Sequence, residues 1–471
     1  MSTALTSPAT GGRVPLATAG LLIGMLLSVL DQTVVAVALP GIAADLGGSG
    51  NMDAVGWIVT SYVLASTATG ALYGRISDRF GRRPVFVTAI VVFVVGSALC
   101  GLAQTTAQLI AARTFQGVGA GALFVLPTIA LSELYPKHLR GRVQGLTGGV
   151  FALASVGGPL AGGLIADTWG WRWIFYVNLP LGLVAVALTA FALRLPRSGG
   201  DGRVDVTGAV LIAGATVGLL LVAEWGGRAY AWTSGVILGL AVAVVALVAL
   251  FVWWERRAAN PLLPPRLFAD PTSRVVLPAT ALLGALLGGS VVYLPTYLRA
   301  AYGMGATQAG LALNPYVLTF MAVSSLAGAR VGASGRFKPY LLAGSAVVVL
   351  GFALLSLLTL DTPYAVLAVE IAVLGAGFGL LMQNLVVVAQ NAASPADLAA
   401  TTSAVVSVRG LGLSLGVAVF GILLARQVQG RAPGPGVTAA AIPDVLFWGV
   451  PAALVLVALM ALLPADGTAQ S

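Results

Sequence analysis

Long apolar runs alternate with short polar or basic segments from one end of the chain to the other. A helix needs about 20 apolar residues to cross the hydrocarbon core of a bilayer. Applied along the 471 residues, that length places fourteen spans, at 16–39, 54–74, 84–104, 107–131, 141–166, 172–194, 205–224, 232–254, 273–298, 307–330, 338–359, 363–390, 399–426 and 442–463. The pattern predicts an all-α membrane protein, and an even number of spans puts both termini on one side. Basic residues are retained in the cytoplasm during insertion, so their distribution decides which side that is. With the N-terminus inside, eighteen Lys and Arg residues fall in cytoplasmic segments and five in outer ones, while Arg113 and Arg409 lie inside spans. The expected topology is N-in, C-in. Trp57, Trp169, Trp171, Trp173, Trp225, Trp232, Trp253 and Trp254 fall near span ends, where interfacial anchors belong.

Composition agrees with the pattern: 58% of the residues are hydrophobic and 9% charged, against roughly 25% charged in an average soluble domain. The net charge of +9 would suit nucleic acid or an anionic membrane surface. Because the charges sit in short clusters between apolar runs, the membrane surface is the expected partner, and nucleic acid is not. The single cysteine, Cys100, lies within an apolar stretch and reads as packing, so neither a disulfide within the chain nor a cysteine zinc site is expected. His138, the single histidine, lies in a basic loop, which leaves no buried Ser/His/Asp group and no metal site. An enzyme is not expected. The polar first fifteen residues and the Asp31-bearing run after them do not read as a cleaved signal peptide. The chain carries no Gly-x-x-x-x-Gly-Lys-[Ser/Thr] phosphate loop, which argues against ATP-driven transport.

A faint repeat relates Ala17-Thr18-Ala19, running to Ser28, with Ala279-Thr280-Ala281, running to Ser290. The segment Arg75 to Pro84 has a degenerate echo in Arg330 to Pro339. Together they set spans one to six in register with spans nine to fourteen, a parallel repeat of the kind secondary transporters use. The expected organisation is a tail at 1–15, a six-helix lobe at 16–194, a linker with two extra helices at 195–272, a second six-helix lobe at 273–463 and a tail at 464–471.

Between spans two and three the chain reads Gly74-Arg75-Ile76-Ser77-Asp78-Arg79-Phe80-Gly81-Arg82-Arg83-Pro84. The glycines allow a tight turn, Pro84 suits the first turn of a helix, and Asp78 suits a helix cap or an arginine partner. An ordinary positive-inside loop would use the same residue types. At this spacing the segment resembles the signature loop of the major facilitator superfamily. That resemblance implies a cytoplasmic latch steadying the outward-facing state, with Gly74, Asp78, Arg79, Gly81, Arg82 and Arg83 in the gating loop.

Span one closes Leu30-Asp31-Gln32-Thr33-Val34-Val35 to Ala38-Leu39-Pro40, with Asp31 about 8 residues, or ~12 Å, before its outer end. A carboxylate at that depth is costly, by at least ~2.5 to 3.5 kcal/mol on insertion scales, and must face a cavity or a partner. Span four carries Ala112-Arg113-Thr114-Phe115-Gln116-Gly117, which puts Arg113 about 9 Å below the same surface, close enough in depth to pair with Asp31. A structural hydrogen bond for Asp31 and a static salt bridge for the pair are the plain alternatives. Span five holds Gly145, Gly148, Gly149, Gly157, Gly158, Pro159, Gly162 and Gly163, where small residues four apart allow close helix contact and the proline bends the helix. These segments, with Trp171 to Pro180, resemble the fourteen-helix drug:proton antiporter branch of the superfamily over essentially residues 15–465, with the strong motifs confined to 30–180. The resemblance implies that Asp31 and Arg113 couple to protons. The Gly-Pro-x-x-Gly-Gly pattern of Gly149, Gly157, Gly158, Pro159, Gly162 and Gly163 is similar to an antiporter motif of exporters.

In the second half, Glu370 is the approximate symmetry mate of Arg113, and Arg409 is its nearest evident counter-ion, so both join the proton-coupling candidates. Gln116, Tyr293, Asn314, Gln383 and Asn384 are candidates for a substrate cavity, although helix–helix hydrogen bonding explains each nearly as well. The loop matching Asp78 lacks an aspartate, so one latch is expected. The resulting expectation is an exporter of small lipophilic drugs or antibiotics, neutral or monocationic, in exchange for protons. It needs no cofactor and no metal, acts as a monomer in the lipid bilayer, and sits in the plasma or inner membrane of a bacterium with both termini cytoplasmic. The alternatives are a dedicated exporter of one antibiotic or lipid-like metabolite, and a transport-dead membrane sensor.

Overall fold

A computed structural model describes residues 13–46, 52–195, 205–227, 229–258, 261, 270–394, 397–429 and 434–464. Among these residues there are seventeen helices: α1 (Arg13–Asp45), α2 (Met52–Phe80), α3 (Arg82–Leu102), α4 (Thr106–Leu134), α5 (Lys137–Trp169), α6 (Trp173–Tyr176), α7 (Asn178–Ala192), α8 (Val206–Trp225), α9 (Gly235–Glu255), α10 (Pro271–Tyr302), α11 (Ala306–Ala312), α12 (Asn314–Ser334), α13 (Lys338–Leu355), α14 (Tyr364–Ala392), α15 (Leu398–Val428), α16 (Pro435–Phe447) and α17 (Gly449–Leu462). Besides the turn at Gly81 between α2 and α3, three pairs are interrupted by a single residue, at Val177, Leu313 and Trp448. Each break precedes by two or three residues a proline, Pro180, Pro315 or Pro451, whose missing N–H removes a helical hydrogen bond at that point. The expected tails at 1–15 and 464–471 and the linker arginines Arg197, Arg203 and Arg266 lie largely or wholly outside the described residues, as do Arg228 and Arg431.

Every predicted span coincides with a helix or one of these broken pairs. Eleven of the helices are long and apolar enough to cross a membrane. The segments outside that set are α2, α5 and the α11–α12 pair, and the packing explains their polarity. One group of helices forms as α1 packs on α4, α5 and α7, α2 on α4, and α3 on α4 and α7; a second forms as α10 packs on α15, α12 on α14, and α13 on α14 and α17. The groups meet where α5 lies along α12 and α2 along α15. Helices that touch closely within a bilayer trade bulky apolar residues for Gly, Ser and Ala. At this boundary the start of a side chain at Gly145 would lie 3.2 Å from Ser325 Cα, and at Gly148 2.9 Å from Ser324 Oγ.

The hydrophobic cores follow the same grouping. Phe86, Phe93, Leu123, Leu126 and Ile129 centre a buried cluster of the first group, and Val348, Phe352, Leu374, Phe378 and Leu381 one of the second. The helices α8 and α9 pack on each other, with α8 against both α2 and α15. Asp205 caps α8 and accepts from Trp254 Nε1 at 2.9 Å, tying the free ends of this pair together. The far side of α9 presents Leu238, Val242 and Val245 outward.

Candidate functional site

Asp31 on α1 is 2% exposed, and helices α4 and α7 supply its partners. Arg113 on α4, fully buried, forms a direct ion pair from Nη1 to Asp31 Oδ2. Gln116, three residues on and therefore on the same face of α4, donates Nε2 to Asp31 Oδ1 at 2.9 Å. Asn178 donates Nδ2 to the same oxygen at 3.0 Å. The break at Val177 lets the chain set Asn178 at the head of α7 and leaves the Phe175 carbonyl to accept from Ser97 Oγ of α3 at 2.9 Å. Ser97 in turn accepts from Asn178 at 3.0 Å.

Arg113 is held from three further directions. Its Nη1 donates to Gln116 Oε1 at 2.7 Å, its Nε donates to the Ile58 carbonyl at 3.3 Å, and its guanidinium carbon lies 4.0 Å from the Tyr62 ring centroid. Tyr62 is anchored by donating to the Ser28 carbonyl at 3.2 Å. Close approach of α3 to α4 depends on Gly96, where the start of a side chain would lie 2.6 Å from Gln116 Cα. Taking two charges out of water is repaid only where good geometry and additional hydrogen bonds satisfy both ions. That condition is met for the Asp31 carboxylate. Two groups beside it, Arg113 Nη2 and Asn178 Oδ1, are buried with no hydrogen-bond partner, so the cluster has donor and acceptor capacity in reserve.

The sequence pointed to Asp31, Arg113 and Gln116. It did not single out Asn178, Ser97 or Tyr62 for this cluster, although Asn178 is a polar residue inside an apolar run.

At one end of the bundle α2 gives way to α3 at Gly81, whose φ of 94° lies in the left-handed region that favours glycine. Arg82, 4% exposed, is the hub of this turn. Its Nη2 meets Asp78 at 2.6 Å and Glu133 of α4 at 2.8 Å, and its Nη1 donates to Ser77 Oγ at 2.5 Å and to the Gly74 carbonyl at 3.3 Å. Arg79 and Arg83 are exposed, Arg79 lying 5.3 Å over the Phe80 ring. The sequence reading missed Glu133, the acidic side of this ion-pair hub. On the opposite flank, a side chain at Gly74 would run into Ser403 and come within 3.2 Å of the Ala399 carbonyl of α15.

The family model described as Major Facilitator Superfamily matches residues 21–207 and again 206–417. The chain belongs to the Major Facilitator Superfamily. It is similar, at 39% identity over 423 residues, to an uncharacterized MFS-type transporter of Mycobacterium tuberculosis, covering 90% of this chain and 61% of that protein's length. It is 34% identical to the multidrug transporter protein MdtP of Bacillus subtilis, covering 86% of this chain and 74% of MdtP, and 35% identical to multidrug resistance protein 3 of the same organism, covering 85% and 78%. The solved human organic anion transporter shares the fold with a TM-score of 0.70 at 16% identity, over 96% of this chain and 100% of that one. Relatives of this chain thus include proteins named for multidrug transport, and its described residues form the all-helical facilitator fold.

In this facilitator the second half does not mirror the first. Glu370 and Arg409 are not brought together. Glu370 lies roughly 22 residues, or ~33 Å, from the α14 end that connects to α15, whereas Arg409 lies about 11 residues, or ~17 Å, from the matching end of α15. The two helices run antiparallel, so the charges differ in depth by ~16 Å. Glu370 belongs to the far end, where Tyr297 and Tyr302 donate to the carbonyls of Thr359 and Thr362 at 2.8 and 2.7 Å. Glu370 Oε2 and Arg409 Nη1 are both buried without a hydrogen-bond partner.

The remaining candidates divide. Gln383 is 4% exposed and its Cγ lies 3.6 Å from where a side chain at Gly148 would begin, at the seam between the helix groups. Tyr293 donates to the Val417 carbonyl at 3.2 Å and stacks on Phe420, and Asn384 donates to Leu380 of its own helix at 2.7 Å, so both serve packing. Asn314 opens α12 and is half-buried. Within the glycine motif of α5, Gly158 and Gly162 press on Thr33 and Val34 of α1, and Gly149 lies 3.9 Å from Met321. A side chain begun at Gly157 or Gly163 would meet no neighbouring element within 4 Å, and α5 continues through Pro159.

Contacts between the two groups cluster toward the Gly81 end. Arg140 donates to the Gln390 carbonyl at 3.4 Å and to Asn391 Oδ1 at 3.2 Å, and Gln390 Nε2 donates to the Thr128 carbonyl at 3.3 Å. Arg75 reaches the Pro261 carbonyl at 2.6 Å. The sealed Gly81 end and the open positions at Gly157 and Gly163 describe a molecule closed at that end.

Proposed function

We propose that this chain is a fourteen-span drug:proton antiporter of the bacterial cytoplasmic membrane, with both termini inside. It exports small lipophilic compounds, neutral or carrying one charge. In this reading residues 16–194 and 273–463 are two six-helix lobes that rock about a central cavity, α8 and α9 are an insert between them, and the monomer is the working unit. The Gly81 end is cytoplasmic, so the closure there is an outward-facing state.

The observation that carries the proposal is the buried Asp31–Arg113 pair with Gln116 and Asn178 on the carboxylate's second oxygen. A proton and Arg113 are alternative ways to neutralise Asp31. Both residues lie in the 16–194 lobe, so the pair parts when α1 shifts against α4 as the lobes rock, and Asp31 then takes a proton from the outer side as substrate leaves. Restoring the pair releases the proton to the cytoplasm as new substrate enters. Asp31 is then neutralised in each state, by Arg113 or by the proton, and in the protonated state the Arg113 charge is left to Gln116, the Ile58 carbonyl and the Tyr62 ring.

The test is proton movement in energised inverted vesicles when lipophilic drugs are added. The expected result is collapse of the proton gradient with wild type and none with Asp31→Asn. An equal collapse with Asp31→Asn would remove Asp31 from the coupling, and no response to a broad panel would favour a dedicated exporter.

A further inference from the structure

Arg409 is 7% exposed, Nη1 has no hydrogen-bond partner, and none of the four ion pairs found among the described residues includes it. Among the described residues, the Phe124 ring of α4 faces it, 5.5 Å from the guanidinium carbon. Phe124 belongs to the opposite helix group, so the side chain crosses the seam between them. The next residue of α15, Gly410, faces Thr67 of α2 across the same seam, 3.8 Å from where its side chain would start. Backbone fit fixes α15 here: Gly284 of α10 lies against the Arg409 carbonyl so closely that no side chain fits at position 284.

A lone guanidinium inside a protein is strongly unfavourable, and a ring face offsets only part of that. Arg113 shows how the same fold treats an arginine whose partner is part of the chain. Arg409 lies above the sealed contacts at Ser403 by about six residues, or ~9 Å, so parting of the Gly81 end opens the space next to it. With Asp31 already neutralised by Arg113, Arg409 leaves this region net positive.

We infer that Arg409 is a recognition point for an anionic group, a carboxylate for example, on the transported molecule. This rests on the export reading and replaces the expected neutral or monocationic cargo. The fork of the guanidinium suits a carboxylate held by two hydrogen bonds, with the lipophilic body of the compound against Phe124 and the apolar walls.

The test measures binding to the purified full-length protein, and uptake by inverted vesicles, of an aryl-propionate, its primary amide and the matching primary amine. Wild type should bind the carboxylate at least about tenfold tighter than the amide, and the amine most weakly. Arg409→Gln should remove that preference by weakening carboxylate binding at least about tenfold, and Arg409→Lys should keep its sign. An unfolding midpoint no lower than that of wild type shows that the variant is folded. A carboxylate preference that persists in Arg409→Gln, or an amide or amine bound as tightly as the carboxylate by wild type, overturns the assignment while uptake of the amide leaves export standing. Failure of wild type to bind or move all three probes overturns both.

Discussion

Two buried arginines, one in each helix group, meet opposite fates. Arg113 is given an aspartate, a glutamine, a backbone carbonyl and a tyrosine face from elements that meet around it. Arg409 meets a phenylalanine across the seam between the groups. The first half holds a buried, internally neutral ion pair, and the second holds a buried charge with one guanidinium nitrogen unpaired.

Stability should separate them most sharply. Arg113→Met strands a buried carboxylate and is expected to cost about 3–5 kcal/mol of stability. Arg409→Met, which removes an unpaired buried charge, is expected to be neutral or stabilising. Thermal or denaturant unfolding of the purified protein measures both, and equal losses would erase the contrast. Asn178→Ala removes one donor to the carboxylate and should cost about 1.5–3 kcal/mol in the same assay, because it breaks a hydrogen bond to a charged group.

At the sealed end, Gly74→Val places a branched side chain against Ser403 and the Ala399 carbonyl. Overpacking of this kind costs about 1–3 kcal/mol, and here it is expected to appear as a shift toward the state open at the Gly81 end. Accessibility of a cysteine placed at position 403 reports it, and unchanged labelling would show that the seam tolerates the bulk. Gly157→Ala, which meets nothing, serves as the control.

A double-mutant cycle between Glu370→Gln and Arg409→Gln should be additive within about 0.5 kcal/mol, as for separated sites. A larger coupling would restore the pairing that their difference in depth excludes. The smallest effect lies at the exposed rim, where Arg172 and Trp171 donate to Asp45 and hold its carboxyl below its ordinary value. A depressed carboxyl contributes stability above its unfolded pKa of about 3.9 and loses it as pH falls through the lower folded value. Asp45→Asn should therefore flatten the acid limb of the unfolding midpoint slightly between about pH 5 and 2.

What the sequence made legible was set by how local each signal was. Helix positions follow from apolar run length, so each predicted segment falls on a helix or a broken pair, and eleven of them are long and apolar enough to cross a membrane. The depth of Asp31 and Arg113 follows from the rise of a helix, and that sufficed to anticipate their pairing because α1 and α4 are in contact. The same reasoning failed for Glu370 and Arg409 because proximity in sequence order took the place of depth on antiparallel helices. Asn178 was hidden for another reason: its role depends on the break at Val177, and a proline three residues later signals a kink without saying which side chain the kink delivers. Arg82 and Glu133 show the converse, since the loop pattern located the turn but the hub needed an acid from α4.

In the proposed cycle Asp31 exchanges Arg113 for a proton when substrate binds or leaves. Following pH in a weakly buffered solution of the purified protein as a lipophilic substrate is added, in wild type and Asp31→Asn, reads that exchange. Stoichiometric proton release on binding in wild type, absent from a variant that still binds the compound, is the result expected. The same release from Asp31→Asn would contradict it and place the exchanging proton elsewhere.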